Sequence, residues 1–241
     1  MAFRASGSTD VGLARKENQD NYLLLPRQML YAVADGMGGH AGGRQASAIA
    51  IETLQNQLEN NGAINRSAVE KALADANGFI LEEARQKQWQ GMGTTLVLAF
   101  YAEGQWQVAH IGDSRAYVVN RKKMYAVTKD HSLVEELLAN GSITQEEAKV
   151  HPHRNVLTRA LGTYEDDAAP DWGAVPADKT EYLLLCSDGL YNMLEEDAIQ
   201  RIVTAPGLTL EEKTSRLVAD ANQNGGLDNI TVILIEEGDR Q

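Results

Sequence analysis

The chain has 241 residues, with 34 acidic side chains against 22 basic ones and a formal net charge of −12. This length can bury a large core, and a hydrophobic content of 43% is too high for a disordered protein. The surplus of acid excludes nucleic acid as the expected partner, since phosphate backbones are bound by clusters of Lys and Arg.

Composition also bears on the compartment. No apolar run approaches the roughly 20 residues of a membrane span, and the start MAFRASGSTD has no apolar segment behind its arginine. The single cysteine, Cys186, cannot form an internal disulfide or a thiolate metal cage. We therefore expect a cytoplasmic monomer with no membrane insertion. No linker or repeat divides the chain, so a single domain over 1–241 is expected.

The predicted elements do not alternate regularly. Apolar runs predict strands at 21–25, 29–34, 94–101, 106–111, 116–119, 182–186 and 230–235. Helical periodicity predicts helices at 43–57, 66–88, 132–140, 144–149 and 210–222, and a capping box of Thr144 and Glu147 opens the fourth. Continuous apolar strands indicate burial on both faces. We predict an α+β fold of two mostly antiparallel sheets, stacked on each other and flanked by helices.

The most informative feature is a set of aspartates at the ends of the apolar strands. They are Asp20 in RKENQD, Asp35 in VADGMGGH, Asp113 in HIGDSR, Asp188 in LLCSDGL and Asp228 in GGLDNIT. Each alone is explained by turn chemistry, because Asp and Gly favour turns. As a set they indicate a binding site for a cation, since carboxylates beside buried strands are costly without a partner. Carboxylates and carbonyls suit Mg²⁺ or Mn²⁺ rather than zinc.

The glycine loop at 36–43, GMGGHAGG, follows a strand and opens a helix. It matches neither G-x-G-x-x-G nor a Walker loop, so a nucleotide cradle is not favoured. Its glycines instead let the backbone approach an ion, with the Gly36 carbonyl as a ligand. His40, in this loop, is placed where a proton donor to a leaving group would be useful.

Three further residues each have a structural and a functional interpretation. Arg15 is either a solvated surface residue or a bidentate phosphate clamp, a geometry that suits arginine. Cys186 is expected to be a small buried strand residue rather than a nucleophile, since no arginine stands six positions later. His110, inside an apolar strand, is expected to be a satisfied core residue or one that supports the site.

Seven motifs together resemble those of a known family. RKENQD, VADGMGGHAGG, GMGTT, AHIGDSR, TKDHS, LLCSDGL and GGLDNIT occur in the order found in bacterial metal-dependent protein serine/threonine phosphatases of the PP2C type. The resemblance runs from about residue 9 to residue 236. It implies a four-layer α-β-β-α sandwich, in agreement with the layers predicted above. It also implies that 142–161 is a mobile flap beside the site that influences substrate choice.

The resemblance also implies the metal ligands. Asp35 would bridge two metal ions, with the Gly36 carbonyl on the first, and Asp188 and Asp228 would ligate the second. Asp113, together with Asp188, would bind a third, weaker ion. The cofactors implied are two Mn²⁺ or Mg²⁺ ions, with a third in bacterial members.

The remaining roles are implied in the same way. Arg15 would bind the substrate phosphate, and Asp20 would hold metal-bound water in an outer shell. Some relatives place a histidine general acid where this chain has Met37, so His40 and a water on the third metal are both candidates for the acid. Gln19 stands where some relatives have Glu, which makes the outer shell less charged.

The function implied is hydrolysis of phosphoserine and phosphothreonine in proteins by metal-activated water at a binuclear centre. The expected partners are phosphorylated proteins made by a serine/threonine kinase that the enzyme opposes. Two alternatives stay open at this stage. One is a metal-dependent hydrolase of nucleotides or small phosphoesters, which could use the same cluster. The other is a non-catalytic phosphoprotein binder, which would be expected to have lost some of the ligands.

Overall fold

The computed structural model describes residues 3–38, 40–60, 62–164 and 168–238, with the backbone alone at 40 and 41. These residues form eleven strands in two sheets. The strands are β1 (Phe3–Asp10), β2 (Asp20–Leu25), β3 (Leu30–Met37), β4 (Gly93–Thr94), β5 (Leu96–Ala102), β6 (Gln105–Ile111), β7 (Arg115–Val119), β8 (Met124–Ala126), β9 (Asp171–Pro176), β10 (Tyr182–Cys186) and β11 (Ile230–Glu237).

Helices connect and cover the sheets, together with a short 3₁₀ turn at Ala177–Lys179. The helices are α1 (His40–Leu58), α2 (Arg66–Lys87), α3 (Leu133–Ala139), α4 (Gln145–Lys149), α5 (Asp188–Tyr191), α6 (Glu196–Val203) and α7 (Leu210–Gln223). The predicted capping box is confirmed at α4, where Thr144 and Glu147 exchange hydrogen bonds.

Each sheet has its own strand order. The first sheet runs β1-β11-β10-β7-β8, and the second runs β2-β3-β5-β6-β9 with β4 paired to β3. All pairs are antiparallel. Every predicted strand is present, but the one expected at 94–101 is interrupted at Thr95. Its amide donates to the Asp35 carbonyl oxygen at 2.8 Å, which ties the break to the site.

Three apolar cores confirm the predicted four layers. One core lies between α1, α2 and the second sheet, one between the two sheets, and one between the first sheet and α5 to α7. Strand β3 shows the principle, because side chains alternate across a strand. Leu30 and Ala32 pack toward the helices, while Tyr31 and Val33 pack toward the other sheet.

The sequence did not predict β1, β8, β9 or α6. In β1, Ser6 alone is buried, so this edge strand shows no apolar alternation to read. In β9, Val175 alone is buried, and the strand ends in a proline. Within the described residues, no helix has both the length and the apolar character needed to cross a bilayer.

The topology gathers the predicted aspartates at one end of the sandwich. Asp20 opens β2 and Asp35 lies near the end of β3, directly opposite it. Asp113 lies between β6 and β7, Asp188 follows β10 and Asp228 precedes β11. Strand ends from both sheets therefore build one site.

Candidate metal and phosphate site

Asp20 and Asp35 form the inner part of the site. They are partners across β2 and β3, and opposite residues of an antiparallel pair lie on the same face with Cβ atoms about 4.5–5.5 Å apart. Burial raises the pKa of Asp20 to about 6, although its hydrogen bonds oppose the shift. Burial, followed by the charge of Asp20, raises the pKa of Asp35 well above its usual range. The pair therefore requires either a proton or a cation.

Asp113 and Asp188 extend this negative region. Burial, and next the charge of Asp113, raise the pKa of Asp188 well above its usual range. Burial raises the pKa of Asp113 to about 6, and the charge of Asp130 adds to the shift. Asp35, Asp113 and Asp188 are only half-buried, so each residue keeps some exposure to solvent, although Oδ1 of Asp188 is itself buried.

Arg15 brings positive charge to the site. Its Nη2 lies 2.6 Å from Oδ2 of Asp228, while Oδ1 of Asp228 accepts from the Asn229 amide at 2.9 Å. We call Asp20, Asp35, Asp113, Asp188 and Asp228 the acidic cluster. In the described ion pairs, Arg15 is the one basic side chain that contacts this cluster. The structure thus brings Arg15 beside Asp228, and the predicted binding of phosphate by Arg15 stays a prediction.

A hydroxyl that the sequence analysis did not single out holds Asp20. Ser187 Oγ donates to Oδ2 of Asp20 at 2.8 Å and accepts from the Thr231 amide at 2.9 Å. Ser187 is fully buried. Its position directly before Asp188 was the signal available in the sequence. This contact links the ends of β2, β10 and β11.

The two threonines of the GMGTT motif hold Asp35 in a similar way. The Asp35 carbonyl oxygen accepts from Oγ1 of Thr94 at 2.9 Å, and the Asp35 amide donates to Oγ1 of Thr95 at 3.1 Å. Thr95 Oγ1 in turn shares a 2.7 Å hydrogen bond with Ser114 Oγ, next to Asp113. The backbone at Asp35 is thereby fixed while its carboxylate faces the cluster.

Gly36 lies where no side chain fits. A Cβ there would lie 2.7 Å from the Gln19 carbonyl oxygen and even closer to that of Gly43. A Cβ at Gly43 would lie 2.8 Å from the Gly36 carbonyl oxygen. Both glycines are therefore required by the close approach of one backbone segment to another, while the predicted approach of this backbone to an ion stays a prediction. No phosphate cradle is needed to explain them.

The donor set fits a hard divalent cation. Among the described residues, the buried Oδ1 atoms of Asp20 and Asp188 have no hydrogen-bond partner, so each has a lone pair available to a metal or its water. In the same part of the chain, no group of three or more His, Cys, Asp or Glu side chains is arranged, as it stands, to hold a metal ion. Carboxylates without a cation repel one another, and Asp228 is held by Arg15. The chemistry fits Mn²⁺ or Mg²⁺.

Other candidates have separate outcomes. His40 begins α1, but its side chain lies outside the described residues. The position used for a general acid in some relatives holds Met37, whose thioether carries no proton and packs near Gly93. Cys186 is fully buried, and burial raises the pKa of its thiol to about 12, so it is no nucleophile.

The expectation that His110 is a satisfied core residue holds for one ring nitrogen only, since its buried Nδ1 has no hydrogen-bond partner among the described residues. His110 is buried, its Nε2 lies 2.7 Å from the Lys129 carbonyl oxygen, and its ring stacks on His131. His131 Nδ1 accepts from the Gly112 amide at 3.0 Å. The two imidazoles therefore support the loop that carries Asp113.

A cleft of about 880 Å³ lies on the side of Met37. Its walls come from the end of α2, residues 88–92 and residues 157–164, and none of the acidic cluster lines it. Leu161 exchanges two 2.9 Å backbone hydrogen bonds with Thr94. The end of segment 142–161 is therefore fastened beside Asp35.

Comparisons with known proteins agree with this architecture. The family model for protein phosphatase 2C matches residues 14–223. The serine/threonine phosphatase stp of Listeria innocua is 40% identical over 243 residues, which cover 97% of this chain and 96% of that protein.

Solved structures give the same result. The crystal structure of a serine/threonine phosphatase from Staphylococcus aureus has a TM-score of 0.92 at 34% identity, covering 99% of this chain and 96% of that one. The catalytic domain of the phosphatase PstP in complex with two manganese ions has a TM-score of 0.86 at 32% identity, covering 98% and 99% of the two chains. The predicted fold class is confirmed, and the chain belongs to the protein phosphatase 2C family of metal-dependent protein phosphatases.

Proposed function

We propose that this chain hydrolyses phosphoserine and phosphothreonine in proteins at the acidic cluster, with two Mn²⁺ or Mg²⁺ ions as cofactors. The observation that carries the proposal is a group of five aspartates, four of them with raised pKa values, in which Arg15 contacts Asp228. Such a group is incomplete without added positive charge. A phosphate monoester hydrolase requires that charge.

The ligands would be divided as the family pattern implies. Asp35 would bridge the ions, with the Gly36 carbonyl on one and Asp188 and Asp228 on the other, while Asp113 would serve a third. When bound, divalent ions neutralise phosphoryl oxygens and lower the pKa of water from 15.7 to about 7 in the best-known zinc case. Asp35, Asp113 and Asp188 are half-buried, so the proposed site lies within reach of a substrate at the protein surface.

Arg15 would orient the substrate. Its guanidinium has five donors in a planar fork, and one of them contacts Asp228. The remaining donors can bind two phosphate oxygens at once. Because Arg15 contacts a proposed ligand, a phosphate held by it would lie beside the ions. Asp20 would act in the outer shell of the metal site. Its Oδ2 is fixed by Ser187, and its Oδ1 is open to accept a proton or a hydrogen bond.

Segment 142–161 would be the flap, within one phosphatase domain over 1–241. It begins around α4, runs along the cleft near Met37 and ends at the hydrogen bonds between Leu161 and Thr94. A change in the flap could therefore be transmitted to Asp35. His40 and a water on the third ion remain the proposed proton donors. The proposed substrates are cytoplasmic phosphoproteins made by a serine/threonine kinase.

The test is turnover of a phosphothreonine peptide and of ATP, each with Mn²⁺ and after chelation. We expect Mn²⁺-dependent turnover of the peptide, with kcat/KM far above that for ATP. Undiminished peptide turnover in chelator would overturn the metal mechanism. Preference for ATP would favour a nucleotide hydrolase, and Mn²⁺ binding by calorimetry without any turnover would indicate a non-catalytic binder.

Asp75→Asn supplies a matched control for substitutions in the cluster. Asp75 is a half-exposed aspartate of α2, distant from the strand ends, whose Oδ2 accepts from Lys71 at 2.9 Å and from Gln57 at 2.8 Å. It should retain the activity and the metal dependence of the unmodified protein. Asp35→Asn, tested beside it, should lose both.

A further inference from the structure

Two loops meet beside Arg15 and present apolar side chains to solvent. The first, between β1 and β2, carries Leu13, which is 71% exposed. The second, between α7 and β11, carries Leu227, which is 62% exposed and directly precedes Asp228. Exposed leucines occurring singly are ordinary, but two on adjoining loops at a catalytic site need an explanation.

The loops meet at a pair of glycines. A Cβ on Gly226 would lie 2.9 Å from Leu13 Cγ, and a Cβ on Gly225 would lie 3.7 Å from Leu227 Cγ and 3.4 Å from Met193 Sδ. Both glycines have positive φ. Leu13 therefore adjoins Gly226, which is buried, while Met193 and Leu227 adjoin the exposed backbone of Gly225. We call Leu13, Met193 and Leu227 the ledge. Met193 continues it into the core beneath the first sheet.

Backbone hydrogen bonds hold this arrangement without help from the leucine side chains. The Gly226 carbonyl oxygen accepts from the amide of Leu13 at 2.7 Å and from the amide of Ala14 at 3.1 Å. The Asn229 side chain donates to the Val11 and Glu17 carbonyl oxygens at 2.9 and 3.0 Å. The leucines are thus presented rigidly, and replacing them should leave the loops in place.

The same two loops carry the proposed phosphate clamp. Arg15 stands two residues after Leu13, and its partner Asp228 stands one residue after Leu227. A phosphoprotein segment whose phosphate reaches Arg15 must pass close to the ledge. Since an extended chain advances about 3.3–3.6 Å per residue, the ledge is within reach of side chains a few positions from the phosphorylated residue.

We propose that the ledge binds an apolar side chain of the phosphoprotein, a few residues from the phosphoserine or phosphothreonine, and so determines which phosphosites are preferred. This inference rests on the proposed function. Gly225, which is exposed, allows the substrate backbone to approach, and the leucines bury apolar surface only when a substrate is bound.

The test uses phosphothreonine peptides built on glycine and serine, with one leucine moved through positions −4 to +4. The selectivity is the ratio of kcat/KM for the leucine peptide to that for the peptide without leucine. We expect at least one position to raise kcat/KM, and the double substitution Leu13→Ser, Leu227→Ser to lower that selectivity by about five- to twentyfold. The single substitutions should each lower it less.

Phe79→Ser is the matched control. Phe79 is an exposed aromatic of α2, on the helical layer opposite α7, and is 56% exposed. Its replacement should leave the selectivity unchanged. Turnover of p-nitrophenyl phosphate, which has no peptide to reach the ledge, reports on the catalytic centre. A loss for this substrate as large as the loss for the leucine peptide would overturn the proposal, because the effect would then be on the centre.

The remaining outcomes are separable. Peptide turnover with no leucine preference at any position would overturn the ledge and leave the proposed function intact. No Mn²⁺-dependent turnover of any phosphopeptide would overturn the proposed function itself. Self-association in sedimentation velocity that is abolished by the double substitution would also overturn the proposal, since a second copy would then cover the ledge.

Discussion

Asp130 and Asp35 belong to the same sandwich, yet they are held in opposite ways. Asp130 receives the full fork of Arg115, from Nε to Oδ1 at 2.9 Å and from Nη2 to Oδ2 at 2.7 Å. Arg115 also stacks on the ring of Tyr191 at 3.7 Å. Asp35 faces other carboxylates, and its pKa is raised by burial and by their charges.

The difference shows what each group is for. The ion pair of Asp130 is complete within the chain, so it contributes to the folded structure. The acidic cluster is incomplete, so its negative charge has to be neutralised from outside by protons or metal ions. The contrast is sharpest in the motif GDSR, because Asp113 and Arg115 are two residues apart, and the arginine is used by Asp130 rather than left to the cluster.

The largest expected effect separates activity from stability. Asp35→Asn should lower Mn²⁺-dependent turnover of a phosphopeptide by roughly 10³-fold or more, because a bridging charge is lost. The metal-free protein should be no less stable, since one charge in a repelling, buried group has been removed. Urea unfolding in chelator beside steady-state kinetics measures both quantities. If Asp35→Asn lost stability and kept its activity, Asp35 would serve the folded structure, as proposed for Asp130, and the comparison would be wrong.

The second expected effect is a pH dependence of metal-free stability. Asp20 and Asp113 have folded pKa values raised to about 6 from the usual 3.8, so the stability they contribute is present at low pH and lost as the pH rises through 6. Between pH 5 and 7, the free energy of unfolding in chelator should fall by on the order of 2–3 kcal/mol. Mn²⁺ should cancel this loss, because it replaces the protons.

Urea unfolding at closely spaced pH values, with chelator and with Mn²⁺, gives the measurement. Asp35→Asn should flatten the slope in chelator, while Asp75→Asn should not. Below pH 5 other carboxylates begin to protonate. Asp171, whose pKa is lowered chiefly by its hydrogen bond to Arg159 against the effect of burial, contributes there with the opposite sign. A flat profile from pH 5 to 7 would contradict the interpretation of the cluster.

The third expected effect falls on the complete pair. Asp130→Asn should destabilise the protein by about 2–3 kcal/mol with or without Mn²⁺, because a charge-assisted fork is broken. Turnover should fall less than about tenfold, because the pair supports the site only indirectly. Arg115 stacks on Tyr191, and the Tyr191 hydroxyl donates to the Asp113 carbonyl oxygen. Asp75→Asn, which breaks an exposed bridge, should change stability by less than about 0.5 kcal/mol.

The sequence predicted the acidic cluster more readily than it predicted the ion pair of Arg115 and Asp130. Asp35 and Asp188 were conspicuous because each ends an apolar strand with no basic residue beside it. The pairing of Arg115 with Asp130 was not predicted, since it depends on how residues that follow β8 fold back over β7.

The missed elements have the same cause. Strand β1 is recognisable only through its pairing with β11, because its own residues are mostly solvent-facing. Leu13 and Leu227 likewise show no periodicity, and their proximity arises from the hydrogen bonds between two loops. Local patterns thus predicted the buried strands and the aspartates at their ends. They could not predict contacts set by tertiary structure alone.

The smallest expected effect concerns the acidic exterior of the protein, outside both the acidic cluster and the ion pair of Asp130 and Arg115. The net charge is −12, and cations bound at the cluster would offset its own five carboxylates and leave the exterior acidic. Phosphopeptides with arginine flanks should therefore be turned over about two- to fivefold faster, as kcat/KM, than those with glutamate flanks at low salt. The effect should be small because exposed charges are solvated, and it should fade as the Debye length shortens from about 10 Å at 0.1 M to 3 Å at 1 M. p-Nitrophenyl phosphate, which has no flanking charge, serves as the salt control. Equal turnover of the two peptides at low salt would mean that the exterior acid does not reach the substrate, and that phosphosite choice depends on contacts such as the ledge.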